Sequence, residues 1–193
     1  MINPGIALLI FFSLVVVTVL VLKSKAIINL LKTEAQREKI LTEDILKLLY
    51  HIEGSNRRVG IHAISNALKT DPQKLLKRTE HMSSDGLLKL SGENIILTER
   101  GRTYAIKMVR THRLYEKYLS ERTGVSKKDW HGLAEKKEHE LTEEDIKMLD
   151  ELLGHPRFDP HGDPIPTASG EIIETKGFPL SNMSVDLSGK IIT

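Results

Sequence analysis

The sequence predicts a mainly α-helical chain: an N-terminal transmembrane helix, a winged helix-turn-helix domain, a helical domain rich in metal-type ligands, and a short β-rich tail. Three observations predict it. Residues 5–22 form an unbroken apolar run. Residues 42–98 read as helix, helix, turn, helix and two short strands. Residues 99–153 read as three helices, each preceded by a Ser or Thr, that gather His and Glu at helical spacing.

The apolar run is GIALLIFFSLVVVTVLVL, in which only Ser13 and Thr18 are polar. Both can bond back to helix carbonyls. At ~1.5 Å per residue the run reaches ~27 Å, enough for a bilayer core. It has no basic segment before it and no small-x-small cleavage site after it. Lys23, Lys25, Lys32, Arg37 and Lys39 follow instead. It therefore reads as an anchor over residues 1–24 rather than a signal peptide. The basic flank predicts an N-terminus outside the cell membrane and cytoplasmic C-terminal domains. Residues 25–41 read as an amphipathic linker helix.

Net charge is only +2 and there is no cysteine. The missing cysteine excludes disulfide scaffolds, thiolate enzymes and iron–sulfur sites, and leaves His and carboxylates as ligands for a transition metal. The small net charge conceals a split. Residues 23–113 carry +8 and residues 114–193 carry −6. That pattern suggests an anion-binding module joined to a carboxylate-rich one.

In the basic half (residues 42–104), Thr42 is the expected N-cap of a helix with Ile45, Leu48, Leu49 and Ile52 on its apolar face, stopped by Gly54-Ser55-Asn56. A short helix follows over 61–68. Asp71 then caps a helix that has Pro72 at its first position, where the missing N–H costs nothing. Its core positions are Leu75, Leu76, Thr79 and Met82. Strands over 87–90 and 95–98, joined by Ser91-Gly92-Glu93-Asn94, complete the order of a winged helix. The second helix of that motif enters the major groove of double-stranded DNA. Here Lys74, Lys77 and Arg78 are expected to meet phosphates or guanine edges, and Gln73 an adenine.

In the acidic half, Thr98 opens a helix to about Arg122 that places His112 and Glu116 on one face. Ser126, with Asp129 as its capping-box partner, opens a second helix carrying His131, Glu135, Glu138 and His139 along one stripe. Thr142 and Asp145 open a third. Imidazole and carboxylate together suit Mn, Fe(II), Co or Zn. No HExxH, phosphate-binding glycine loop or nucleophile elbow occurs, so the chain is not expected to be an enzyme.

RTHRLYEKYL (110–119), WHGLAEKKEHEL (130–141) and GHPRFDPHGDPIP (154–166) resemble the metal-dependent repressors of the diphtheria-toxin-repressor and manganese-transport-regulator type, DtxR/MntR. The likeness spans about residues 42–166. It implies a homodimeric, Mn(II)- or Fe(II)-dependent DNA-binding repressor, with residues 105–166 as its metal-binding and dimerisation domain. It also implies a primary site at Asp44, Glu135, Glu138 and His139, and an ancillary site at His112, Glu116 and His131. Iron-type members have Met and Cys where this chain has Asp44 and Glu135, so the carboxylates favour manganese. Lys47 stands where the manganese type has a second carboxylate, and its ammonium would repel a second cation. The membrane segment resembles fusions of such a domain to a metal ABC transporter permease. A transporter accessory protein that senses cytosolic metal without binding DNA is the alternative function. Residues 167–193 resemble the opening of a small SH3-like domain, too short to bury a core of its own.

Overall fold

A computed structural model of the chain describes residues 4–53, 59–92 and 94–172, apart from the side chains of 4–13, 15–16, 19 and 25–31. The chain divides into two compact units, Met1–Leu41 and Thr42–Thr193. The first is helical from Pro4 and belongs to α1 (Pro4–Glu53). Thr18 Oγ1 bonds back to the Leu14 carbonyl at 2.8 Å, as expected of a hydroxyl in an apolar helix. Among the described residues no helix is long and apolar enough to cross a membrane. Most side chains of the expected span, residues 5–22, lie outside the described ones.

In the second unit, the end of α1 is followed by α2 (Ile61–Leu68), α3 (Pro72–Ser84), β1 (Leu88–Ser91), β2 (Asn94–Leu97), α4 (Glu99–Arg122), α5 (Lys127–Lys137) and α6 (Glu143–Leu152). Thr42 is not an N-cap. It is buried inside α1, because no proline or glycine interrupts residues 6–53 to end one helix and start another. The stop expected at Gly54-Ser55-Asn56 lies outside the described residues, though α1 ends beside it at Glu53.

Ile45, Leu46, Leu49, Ile64, Leu75, Met82, Leu88, Ile95 and Leu97 form the core of the winged helix. Leu46 replaces the expected Leu48 in this core. Leu76 is exposed rather than buried, because Leu75, Thr79 and Met82 already cover the inward stripe of α3 at three- and four-residue spacing. Asp71 caps α3 as predicted and accepts from the backbone of Gln73 and Lys74, each at 3.0 Å. The hairpin is antiparallel, with Leu88 opposite Leu97. Buried Val59 extends it by accepting from the Ile95 N–H at 3.0 Å.

Thr98 caps α4 through the Gly101 N–H, and α4 packs against β2, α5 and α6. The Thr142–Asp145 capping box forms. The one expected at Ser126 does not: α5 starts there, but the Ser126 side chain makes no capping bond. After α6 the chain returns along α4. Arg110 donates to the Pro166 carbonyl and Arg113 to the Pro164 carbonyl, both at 2.5 Å. Ile165 is buried beneath this return. The GHPRFDPHGDPIP string is thus a strap fastened to α4 by two arginines. The SH3-like reading of residues 167–193 falls largely on residues outside the described ones.

Candidate metal centre

The expected donors meet in two sets, not along one stripe. α5 ends at Lys137, Glu138 is its C-cap, and His139 lies in the following turn. The turn sends Glu138 and His139 inward, while His131 and Glu135 stay one helical turn apart on the exposed face of α5. Inward, Glu138 and His139 meet Asp44 of α1. His139 Nε2 lies 3.4 Å from Asp44 Oδ1 and 3.8 Å from Glu138 Oε1. Glu138 and His139 are buried and Asp44 is half-buried.

The second set joins His112 and Glu116 of α4 to His131 of α5. His112 Nε2 is 3.2 Å and His131 Nδ1 3.1 Å from Glu116 Oε1, and the two ring nitrogens are 3.1 Å apart. Both sets have donor chemistry that fits a divalent transition metal, the first richer in oxygen and the second in nitrogen.

Glu135 is the one expected ligand that the structure keeps out of its set. Its side chain is half-exposed and sits 3.4 Å from His131 Nε2, on the side of the ring away from Glu116. Each clustered histidine is in fact held by a carboxylate at its other nitrogen. Glu138 Oε2 bonds His112 Nδ1, Glu135 faces His131 Nε2, and Glu43 Oε2 bonds His139 Nδ1 at 2.8 Å. Such outer partners orient the ring and aim its other nitrogen at the donor set. Glu43 was not foreseen. It is buried, and its Oε1 accepts from the Tyr104 hydroxyl at 2.6 Å.

The electrostatics follow from this packing. Burial works against charge on His112, but its bonds to Glu116 and Glu138 outweigh that and push its pKa up to about 9. Burial likewise opposes charge on His139, and the neighbouring Asp44 and Glu43 carboxylates raise its pKa to about 9. Burial would raise the Glu116 pKa, yet the bonds and charge of its imidazole partners hold it below the usual range. Burial and the bond to Glu43 raise that of Tyr104.

On α3, Gln73, Lys74 and Lys77 are exposed. Arg78 is only half-exposed, and its Nε donates to Thr42 Oγ1 at 2.6 Å. One turn beyond Lys74, it lies closer to the buried stripe and reaches α1.

Comparison with known proteins gives the same picture of this unit. Residues 98–167 match the family described as iron dependent repressor, metal binding and dimerisation domain. Over 126 residues the chain is 32% identical to the iron-dependent repressor IdeR of Mycobacterium tuberculosis, covering 65% of this chain and 55% of that protein. It is also 32% identical over 130 residues to a probable metal transport system membrane protein of Chlamydia trachomatis, covering 64% of this chain and 29% of that one. Among solved structures, a manganese-dependent transcriptional repressor in complex with manganese aligns at a TM-score of 0.66 and 29% identity, over 70% of this chain and 63% of that one. ScaR with bound Zn2+ aligns at 0.64 and 27%, over 72% and 66%. The chain thus spans about half the length of the curated repressors it matches.

Proposed function

Because the chain belongs to the DtxR/MntR family of metal-dependent regulators, we propose that it is a Mn(II)- or Fe(II)-dependent, DNA-binding transcriptional repressor of metal homeostasis, tethered to the membrane. The observation that carries this reading is the set of Asp44, Glu138 and His139. Asp44 belongs to the first helix of the winged helix, and the other two to the turn after α5. A divalent ion held there supplies a charge that draws the DNA-reading half and the ligand-bearing half into one orientation. Such an ion favours DNA binding only by holding that orientation more tightly than others. The oxygen-rich set suits Mn(II), with Fe(II) next.

Several observations support the rest. Gln73, Lys74 and Lys77 present an exposed polar and basic face on α3, suited to bases and phosphates. α6 leaves the large apolar side chains of Met148 and Leu152, one turn apart, exposed in the single chain. That face suits a homodimer. Leu14, Val17, Leu20, Val21 and Leu22 are all exposed on the first part of α1, which suits a lipid surface and cytoplasmic regulatory domains.

The test is binding of the full chain, in mild detergent, to DNA from its own promoter region. Mn(II) or Fe(II) is expected to tighten binding at least tenfold. Alanine at Lys74 and Lys77 is expected to weaken it and lower the salt slope by about one per lost phosphate contact. Affinity indifferent to both metals sinks the proposal.

The likeness to a metal transport membrane protein, together with the apolar run, favours one second reading. In it the chain senses cytosolic metal for a metal ABC transporter and binds no DNA. Metal binding without any promoter binding selects that reading.

A further inference from the structure

Leu75, Thr79 and Met82 fill the inward stripe of α3, and Leu76 is left 45% exposed. A single exposed leucine is ordinary on a protein surface. Its neighbours set this one apart. Gln73, Leu76, Lys77 and Glu80 follow at i, i+3, i+4 and i+7, the spacing of one helical face, and all four are exposed. Leu76 is therefore the apolar member of an outward stripe whose other members are an amide, an ammonium and a carboxylate.

That combination has a chemical meaning. A face that only gripped phosphates would gain from cations alone, and the Glu80 carboxylate would weaken it. An apolar group among hydrogen-bonding ones suits the major groove instead. Base pairs present donors and acceptors there, and thymine adds the one apolar group, its C5-methyl. Gln73, one turn before Leu76, carries the donor and acceptor that suit adenine, whose partner bears that methyl. Leu76 also lies in the N-terminal half of α3, the part of such a helix that reaches base edges. A protein partner fits the stripe less well, because the core of a protein interface is apolar and depleted of charge, whereas here one leucine stands among three polar side chains.

We propose that Leu76 is a specificity-determining residue of α3 that packs against the C5-methyl of a thymine in the major groove. This inference rests on the reading of the chain as a DNA-binding regulator and names one base feature that it selects. Leu76 and Gln73 together favour A·T pairs, while Lys77 supplies charge to the same face. The discrimination comes from taking the thymine methyl and the leucine side chain out of water together. Burial of one such group is worth about fourfold in affinity.

The test compares promoter-region DNA containing thymine with the same DNA containing deoxyuridine, which pairs identically and lacks only the methyl. Each is titrated with the full chain in mild detergent, with Mn(II) or Fe(II) present, and binding is read by fluorescence anisotropy of the labelled DNA. Wild type is expected to bind the thymine DNA about fourfold more tightly or better. Leu76→Ala is expected to bind thymine DNA more weakly and to treat the two DNAs alike within about twofold, as a double-mutant cycle requires of a direct contact. The residue is exposed and alanine favours helices, so this variant keeps the fold. Lys77→Ala is expected to weaken both DNAs and keep the thymine preference. A wild type that binds both DNAs equally, or a preference that survives in Leu76→Ala, overturns the inference and leaves the regulator reading intact. A preference lost equally in Lys77→Ala assigns the methyl effect to the docking of α3 as a whole and overturns the contact. A wild type that binds neither DNA overturns both the inference and the reading beneath it.

Discussion

The Lys47 ammonium lies 2.5 Å from Glu138 Oε1, an oxygen of the buried metal-type set. His112 Nδ1 holds the other oxygen of the same carboxylate. Glu138 is thus fully engaged without any ion, and Lys47 acts as a tethered cation beside the donors. Lys47→Gln removes a charge that competes for Glu138. It is expected to tighten Mn(II) binding about tenfold, worth ~1.4 kcal/mol, by calorimetry. The metal-free variant is expected to lose ~1–3 kcal/mol of stability, since Glu138 loses a charged partner inside the protein. Unchanged or weaker Mn(II) binding removes Lys47 as a competitor.

Glu43 stands behind the same set. It is buried, and it connects Tyr104 of α4 to the Nδ1 nitrogen of His139, while Nε2 of the same ring faces Asp44 Oδ1 at 3.4 Å. Glu43→Gln takes away the charge that orients that ring. Loss of an outer partner of this kind weakens metal affinity about 10- to 100-fold. Tyr104→Phe removes only the hydroxyl behind it, and its effect is expected to be several-fold smaller. Calorimetric titration with Mn(II) checks the order, and equal affinities in Glu43→Gln and wild type contradict it.

Acidity gives the third. His112 and His139 have pKa values pushed up to about 9, against a usual value of 6.5. A raised pKa means the folded, metal-free protein holds these protons more tightly than the unfolded chain. The stability they contribute is therefore fully present below about pH 6.5 and is lost as pH rises through about 9. A bound ion needs unprotonated rings, so metal binding must release protons. At pH 7.5, titration in buffers of different ionisation heat is expected to show release of about two protons when both sets fill. Metal affinity is expected to rise from pH 7 to 9 while the Tm of the metal-free chain falls. Proton release near zero contradicts the paired protonated rings.

Caps and periodicity made much of this fold legible. Asp71 with Pro72, Thr98, and Thr142 with Asp145 start helices where they were expected to. The grouping of Asp44, Glu138 and His139 apart from His112, Glu116 and His131 was legible through the family resemblance and not through helical spacing. Helical spacing treats residues 131–139 as one face, whereas α5 ends at Lys137 and the following turn redirects Glu138 and His139. Glu135 therefore stands behind His131 rather than beside Glu138. Glu43 was hidden because adjacent residues on a helix point apart. Its burial depends on Tyr104 and His139, 61 and 96 residues away.

α4 is seated tightly against the entry to the wing. Gly101 lies in the first turn of α4, where its N–H bonds the Thr98 hydroxyl at 3.0 Å. Thr98 Oγ1 in turn donates to the carbonyls of Gly86 and Leu87. The cap thus pulls the start of α4 directly against the strand entry. A Cβ on Gly101 would stand 2.0 Å from the Leu87 carbonyl oxygen. That neighbour is backbone and is already bonded to the Thr98 N–H at 3.0 Å, so it cannot swing aside as a side chain would. Alanine favours helices, and at an exposed helical site Gly→Ala would stabilise by up to ~1 kcal/mol. Here the clash decides the sign. Gly101→Ala is expected to destabilise by ~3 kcal/mol or more through displacement of the cap or the hairpin. Thr98→Ala, which removes the cap and the hydroxyl's bonds to the strand entry, is expected to cost ~1–2 kcal/mol. Denaturant unfolding of the two variants beside wild type measures both, and a stabilised Gly101→Ala chain would mean that α4 and the wing are not packed this closely.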